Sequence, residues 1–239
     1  MRTTKNVWFW FKDVYSWETG ALMTAWPTRE APALRGKEKE VSGRDGDIYV
    51  TDGTYGTVEV TQEFCIRDAE QSSNINRWLC GAGFLRFSDE PHLMYNARVK
   101  NLKAEPMPGR LLGRKYTCRF VCQPFRYQYP TEKERTFTTP GNLNNPGTAY
   151  SLPRVTIIGT GDFSVTIGDE TVYFTDVSGG IVVDSELMDA MTMDGTALAN
   201  QHMAGQPWKI EPGINAVSWD VDEGSVLTSV TILPRWRFI

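Results

Sequence analysis

The sequence predicts a mainly β protein with one helix, α+β in its N-terminal part and all-β in its C-terminal part. Three observations predict it. Apolar and polar residues alternate cleanly over 57–66 and again over 116–122. One stretch alone, 68–80, carries a helical period. After residue 150 short apolar runs follow one another between Gly- and Asp-containing turn signals, with almost no helical periodicity.

Taken in order, the first segment to about Ser42 reads as irregular. It holds the apolar strand candidate Val7-Trp8-Phe9-Trp10-Phe11, then Trp17, Trp26-Pro27 and the charged stretch 35–40. Gly43-Arg44-Asp45-Gly46 is a tight-turn signal, because Asp-Gly tolerates left-handed backbone. Along 57–66, Val58, Val60, Phe64 and Ile66 share one face of a half-buried antiparallel strand. In 68–80, Ile75, Trp78 and Leu79 stand at i, i+3 and i+4, Gly81 is a stop, and Asp68, Ser72 or Ser73 can cap. Strands are expected at 84–87, 95–102 and 116–122. The Pro-rich, polar stretch 124–150 reads as a linker, or as a strand pair flanked by loops, and marks the domain boundary. Further strands are expected at 153–158, 163–167, 171–175, 180–184, 206–210, 214–219 and 226–233. The division predicted is 1–135 as a β-rich domain with one helix, 136–150 as a linker, and 151–239 as a β-sandwich.

The chain has 239 residues, 41% hydrophobic and 23% charged, enough for a sizeable core in one large or two small domains. Aromatics make up 12%, with 8 Trp; they suit pleated strands, and surface ones often anchor protein contacts. A net charge of −4 argues against a primary grip on nucleic acid, which needs a basic footprint. The local exception, Arg110, Arg114, Lys115 and Arg119, reads as a solvated edge or a subunit contact. Four cysteines without CxxC spacing and two histidines make a zinc site an unsuitable reading. Cys118 and Cys122 would share a strand face roughly 13 Å apart, too far for a direct disulfide. Unpaired thiols fit a reducing cytoplasm. The run 7–11 is too short for a signal peptide, and no run approaches the roughly 18 apolar residues of a membrane span, so a soluble protein made in a cytoplasm is expected.

Chemistry is hard to find. No Gly-x-Ser-x-Gly elbow, phosphate loop or His-Glu-x-x-His motif occurs. Asp184 and Glu186 lie two apart at a strand end and face the same side. They are the one pair that could suit two-carboxylate hydrolysis, though solvated turn residues read the same way. Asp220, Asp222 and Glu223 form an acidic turn too short for a calcium loop. Trp208, beside Pro207, is a candidate for an exposed ligand contact, whereas Trp219 in an alternating strand reads as core.

The order of these features resembles the distal tail protein (Dit) family of long-tailed siphophages. The resemblance runs through Gly43-Arg44-Asp45-Gly46, the strand to Ile66, and the helix ending Asn76-Arg77-Trp78-Leu79-Cys80-Gly81. It continues through Leu85-Arg86-Phe87-Ser88-Asp89-Glu90-Pro91, Tyr95-Asn96-Ala97 and Phe120 to Tyr127, then Ile181 to Ser185 and Glu211 to Asn215. Each piece alone is common; the ordered set spans nearly the whole chain. It implies an N-terminal domain that assembles into a hexameric ring, followed by a galectin-like sandwich at the ring's periphery. It further implies a structural virion protein, not an enzyme, with no cofactor or metal. The ring would stack between the tail tube protein and the tail-tip or baseplate hub protein, with DNA only as passing cargo. Synthesis would be in the host bacterial cytoplasm and residence in the virion tail tip, without membrane contact. Val7, Trp8, Phe9, Trp10 and Phe11, and Arg44 and Asp45 in the charged 35–46 loop, are the candidate subunit contacts. The competing readings are a carbohydrate- or receptor-binding tail protein using the sandwich as a lectin, a tail-associated glycan hydrolase, and a neighbouring tip protein with a related ring domain.

Overall fold

The structure, a computed structural model, describes residues 7–107, 109 and 113–239. It divides into two compact units, 1–129 with Ile239 and 130–238. Each is built on antiparallel sheet.

The first unit opens with β1 (Phe9–Phe11) and β2 (Val14–Tyr15), followed by a 3-10 turn, Ser16–Thr19. Two short strands, β3 (Leu22–Met23) and β4 (Thr28–Arg29), precede a hairpin of β5 (Leu34–Lys39) and β6 (Ile48–Tyr55). Then come β7 (Val58–Ile66), the helix α1 (Ser72–Trp78), β8 (Ala82–Phe87), β9 (Leu93–Pro106) and β10 (Arg114–Gln128). The strand order is β2-β1-β8-β9-β10-β7, with β3 and β4 both laid along β7.

Period-two alternation explains the sheet. On β7, Val58, Val60, Gln62, Phe64 and Ile66 are buried while the intervening residues are not. Opposite them on β10, Tyr116, Cys118, Phe120 and Cys122 are buried too. Phe64 and Tyr116 are register partners whose rings stack at 5.1 Å and 2°. The helix lies over this face. Asp68 accepts from the Glu70 N–H and starts a 3-10 turn at Ala69–Gln71 that runs into α1, so the helix proper is shorter than 68–80. Seven residues would not hold a helix in water. Ile75, Trp78 and Leu79 hold it by burial, at about 1.5–3 kcal/mol for each large side chain. Trp78 stacks on Phe9 at 5.0 Å and its Nε1 donates to the Phe11 carbonyl at 2.8 Å.

Two expectations change here. The charged stretch 35–40 is not irregular: it is β5, paired with β6 around the Gly43–Gly46 turn. β9 and β10 outrun their predicted limits because each supplies the other's hydrogen bonds as one long hairpin. Pro124 falls within β10 without breaking it, at the register shift between Cys122 and Arg126, where no ladder N–H is required of it.

The second unit contains β11 (Arg135–Phe137), β12 (Gly141–Asn145), β13 (Arg154–Ile167), β14 (Glu170–Val177) and β15 (Ile181–Asp184). It continues with β16 (Asp189–Met191), β17 (Met203–Ala204), β18 (Gly213–Val221) and β19 (Val226–Leu233). β13 belongs to two sheets. Its first half pairs with β19 and β15, and its second half pairs with β14 and β18. The change happens at Gly159-Thr160-Gly161, flanked by register shifts on both sides. Gly161 has φ +95°, and a Cβ on Gly159 would come within 2.7 Å of the Val226 carbonyl oxygen. Val155, Ile157, Val183 and Ile232 from one sheet meet Val165, Ile167, Val172 and Phe174 from the other in a single core.

The stretch 136–150, read as a linker or as strands flanked by loops, takes the second form: it supplies β12 and most of β11, which pair with β18 and β19. The polar run left the linker reading open because Asn disfavours strands. Leu143 nevertheless faces the core, and Asn145 is buried with its Nδ2 donating to the carbonyls of Ala149 and Ile210. The expected strand at 206–210 reduces to a single bridge, Ser151 to Ile210.

Candidate functional site

The apolar run at 7–11 splits by strand alternation. Phe9 and Phe11 point into the core, fully buried, so their side chains cannot present a contact surface. Val7 and Trp8 are half-buried, and Trp10, though buried, faces the opposite side of the sheet from Phe9. There the ladder pairs Trp10 with Arg86 of β8. Arg86 is only 4% exposed, and its guanidinium carbon lies 5.2, 5.1, 5.9 and 3.6 Å from the ring centroids of Trp8, Trp10, Tyr15 and Tyr129. Its Nη2 donates to the Tyr15 hydroxyl at 2.9 Å, and its buried Nε has no hydrogen-bond partner. Trp17 stacks on Tyr15 at 4.0 Å and forms the outer layer of the cluster. Sequence reading missed Arg86. The signal was there: a single cation between Leu85 and Phe87, on the strand face that alternation turns away from the core.

Arg44 and Asp45 sit exposed at the tip of the β5–β6 hairpin. This hairpin pairs with no other strand among the described residues, and nearly every residue along it is exposed. Its root is fixed. The Gly56 N–H donates to the Ala33 carbonyl at 2.8 Å, and Tyr55 packs edge-on against Phe125. Just before it, Arg29 on β4 bonds Asp89 at 2.6 Å and Glu90 at 2.5 Å, and Arg126 bonds Glu90 at 2.6 Å. Within the arm, the Tyr49 hydroxyl donates to the Leu34 carbonyl and its ring lies over Gly36, where a side chain would collide with it. Leu34, Val41, Tyr49 and Val50 remain open to solvent, the last two more than half exposed. A two-stranded ribbon is marginal in water by itself, and this one carries apolar side chains that none of the described residues covers.

In the sandwich, Trp208 is fully buried, and its Nε1 donates to the Val165 carbonyl at 3.2 Å. It is core and not an exposed ligand contact, because the Pro207-Trp208 segment folds inward against Phe174. Asp184 and Glu186 converge on Arg235. Asp184 takes a two-pronged contact at 2.7 and 2.8 Å, and Glu186 lies at 3.2 Å from the same guanidinium. Burial pushes the Asp184 carboxyl up, but the Arg235 hydrogen bonds and charge and the N–H groups of Glu186 and Leu187 outweigh it and hold it below its ordinary value. Arg235 holds this position with φ +54°. The pair therefore ties the end of β15 to the segment after β19.

Of the basic cluster, Arg110 lies outside the described residues. Lys115 pairs with Glu63 at 3.0 Å, Arg114 donates to the Gly113 carbonyl, and Arg119 is exposed, which is a charge-laced strand surface. All four cysteines are free; Cys118 and Cys122 are buried, and burial pushes both thiols up to about 12. Among the described residues no cluster of His, Cys, Asp and Glu gathers as a metal site, and no helix is long and apolar enough to cross a membrane.

No family model matches this sequence, and no curated protein matches it either. Among solved structures the chain is similar to the crystal structure of the Dit protein (gp 19.1) of SPP1, described as a paradigm of the hub adsorption apparatus in phages infecting Gram-positive bacteria. The match has a TM-score of 0.76 at 15% identity and covers 98% of this chain and 99% of that one. At the level of the fold, this chain is similar to a Dit hub protein over nearly its whole length.

Proposed function

We propose that this chain is a structural virion protein, a distal tail protein whose copies close into a hexameric hub ring. The ring joins the tail tube protein on one face to the tail-tip or baseplate hub protein on the other, and its lumen passes DNA without holding it. The C-terminal sandwich is galectin-like and peripheral, and no step of the function is catalytic. Synthesis in the host bacterial cytoplasm and incorporation into the tail tip follow from that role.

The observation that carries this reading is the exposed 34–55 arm on a fold similar to the Dit hub protein end to end. A ring subunit makes head-to-tail contacts that close by rotation, so one surface must reach a different surface on the next copy. A rooted, otherwise uncovered ribbon with open Leu34, Tyr49 and Val50 suits that reach. Arg44 and Asp45 at its tip are positioned for the same contact. The arrangement at Asp184 and Glu186 disfavours the hydrolase reading, since both carboxylates are engaged by Arg235.

Solution mass by light scattering, followed by negative-stain imaging, tests the proposal. Six copies of the 27.0-kDa chain give about 162 kDa and a six-fold ring. A monomer that stays monomeric when mixed with its tail tube and tip proteins would overturn it.

A further inference from the structure

We propose that the Asp45–Gly46 peptide is a site of spontaneous isoaspartate formation, set apart by its surroundings from the chain's two other Asp-Gly pairs. The three pairs are Asp45–Gly46 between β5 and β6, Asp52–Gly53 within β6, and Asp194–Gly195 after β16. All three are exposed. Their glycines share a left-handed backbone, with φ +76°, +77° and +70°, and none carries a side chain to crowd its amide nitrogen. Sequence, exposure and backbone conformation therefore do not separate them; hydrogen bonding does.

The reaction needs both partners unheld. The glycine nitrogen attacks Cγ of the preceding aspartic acid in its protonated form, the N–Cγ bond forms and the Cγ–OH bond breaks. Water leaves with that hydroxyl and the amide proton, and the product is a cyclic imide. Water then adds back to one of the two ring carbonyls. Opening at Cγ restores aspartate; opening at the main-chain carbonyl routes the chain through Cβ and Cγ. The net change is an isomerisation that needs no oxidant and no cofactor.

Two of the pairs are held at both ends. Asp194 Oδ1 accepts from Thr192 Oγ1 at 2.6 Å and the Thr196 N–H at 3.1 Å, and its Oδ2 accepts from Thr196 Oγ1 at 2.8 Å. The Thr192 hydroxyl and then Thr196 hold this carboxyl down at about 2, and the Gly195 N–H is engaged by the Thr192 carbonyl at 2.8 Å. Asp52 Oδ1 accepts from Thr54 Oγ1 at 2.7 Å and the Thr54 N–H at 2.9 Å, which hold it below its ordinary value. The Gly53 N–H donates to Thr51 Oγ1 at 3.1 Å. By contrast, neither the Asp45 carboxylate nor the Gly46 N–H makes a hydrogen bond among the described residues, and both lie outside the β5–β6 ladder. Each bond that must break before attack slows the step by about two- to tenfold. Isomerisation there inserts one methylene into the main chain at the tip of the arm.

This site does not depend on the ring reading, which the solution mass tests separately. The test here is ageing of the full-length protein at mildly acidic pH and physiological temperature, followed by peptide mapping with mass spectrometry that distinguishes isoaspartate from aspartate. Isoaspartate at position 45 should accumulate at least about tenfold faster than at 52 or 194, the ratio set by the bonds those two must break. Asp45→Glu, which disfavours the five-membered ring, should remove the signal at that position and leave the other two unchanged. Thr51→Val with Thr54→Val, which frees the Gly53 N–H and one carboxylate bond, should raise the rate at Asp52 about fivefold or more. Thermal unfolding before ageing establishes that each variant is folded. Equal rates at the three pairs, or a faster rate at 52 or 194 than at 45, would overturn the proposal, as would a rate at Asp52 that ignores the two threonine changes.

Discussion

The ring of Tyr129, the last residue of the first unit's main segment, lies over the Arg86 guanidinium with its centroid 3.6 Å away. Arg86 is buried and makes no ion pair among the described residues; four aromatic rings, the Tyr15 hydroxyl and the Pro91 carbonyl compensate its charge. The planar, weakly hydrated guanidinium suits such a cage, and a lysine ammonium does not.

Arg86→Ala is therefore expected to destabilise the protein by about 2–4 kcal/mol, from lost cation–π contacts and a lost hydrogen bond. Arg86→Lys should cost about as much, because a compact ammonium there would be desolvated without a planar stack. Urea midpoints for the two variants check this; a lysine variant as stable as the parent would refute the cage account.

The Asp184–Arg235 pair predicts an acid-sensitive sandwich. The folded-state carboxyl lies below its ordinary value of 3.8. The pair thus contributes fully above that value, and its contribution is lost as pH falls through the folded-state value. Arg235→Ala, which leaves a buried carboxylate unpaired, should cost about 3 kcal/mol at neutral pH. Its penalty should shrink on acidification below 3.8 as Asp184 takes up a proton. Thermal melts of parent and variant across that range should converge; parallel curves would show that the pair is inert.

The four thiols should react in a definite order. Cys80 is exposed and Cys65 half-buried, while Cys118 and Cys122 sit in the core with thiols raised to about 12. A thiolate is the reactive form, so burial and the raised value act in the same direction. An aromatic disulfide reagent should modify Cys80 first and reach Cys118 and Cys122 only in denaturant. Rapid native labelling at four sites would mean that the β7–β10 face is open.

Leu34→Glu with Val50→Glu separates folding from assembly. Both side chains are exposed on the arm, so unfolding free energy should stay within about 0.5 kcal/mol of the parent. If the arm makes the ring contact, the same pair should reduce the assembled mass to that of a monomer. Unchanged assembly would remove the arm from the proposed interface.

Much of the fold was legible in the chain because local periodicity and burial agree. β7, the first half of β10 and α1 each carry an apolar face that matches its partner, and the helix lies where Ile75, Trp78 and Leu79 predicted it. β12 was legible only as one of two readings of 124–150, since its burial rests on Leu143 and on the hydrogen bonds of Asn145, which only the tertiary structure supplies. The sites were less legible than the fold. Trp208 looked exposed beside a proline and is core, whereas Tyr173, between Val172 and Phe174 in a predicted strand, is left open on the other face.

The sequence by itself determined the class: β-rich, one helix, free thiols in the first half, and apolar residues spaced to fill two cores. Those are properties of spacing and composition, which act between near neighbours in the chain. Only the tertiary structure decided which aromatic residues are walls and which are surface, and which ions are paired. Phe9 and Trp10 are adjacent yet face opposite sides of a sheet, and Arg235 meets Asp184 across 51 residues of chain. Burial and charge pairing depend on what arrives from elsewhere in the fold, and only the register of strands such as β1 on β8 and β13 on β19 specifies that.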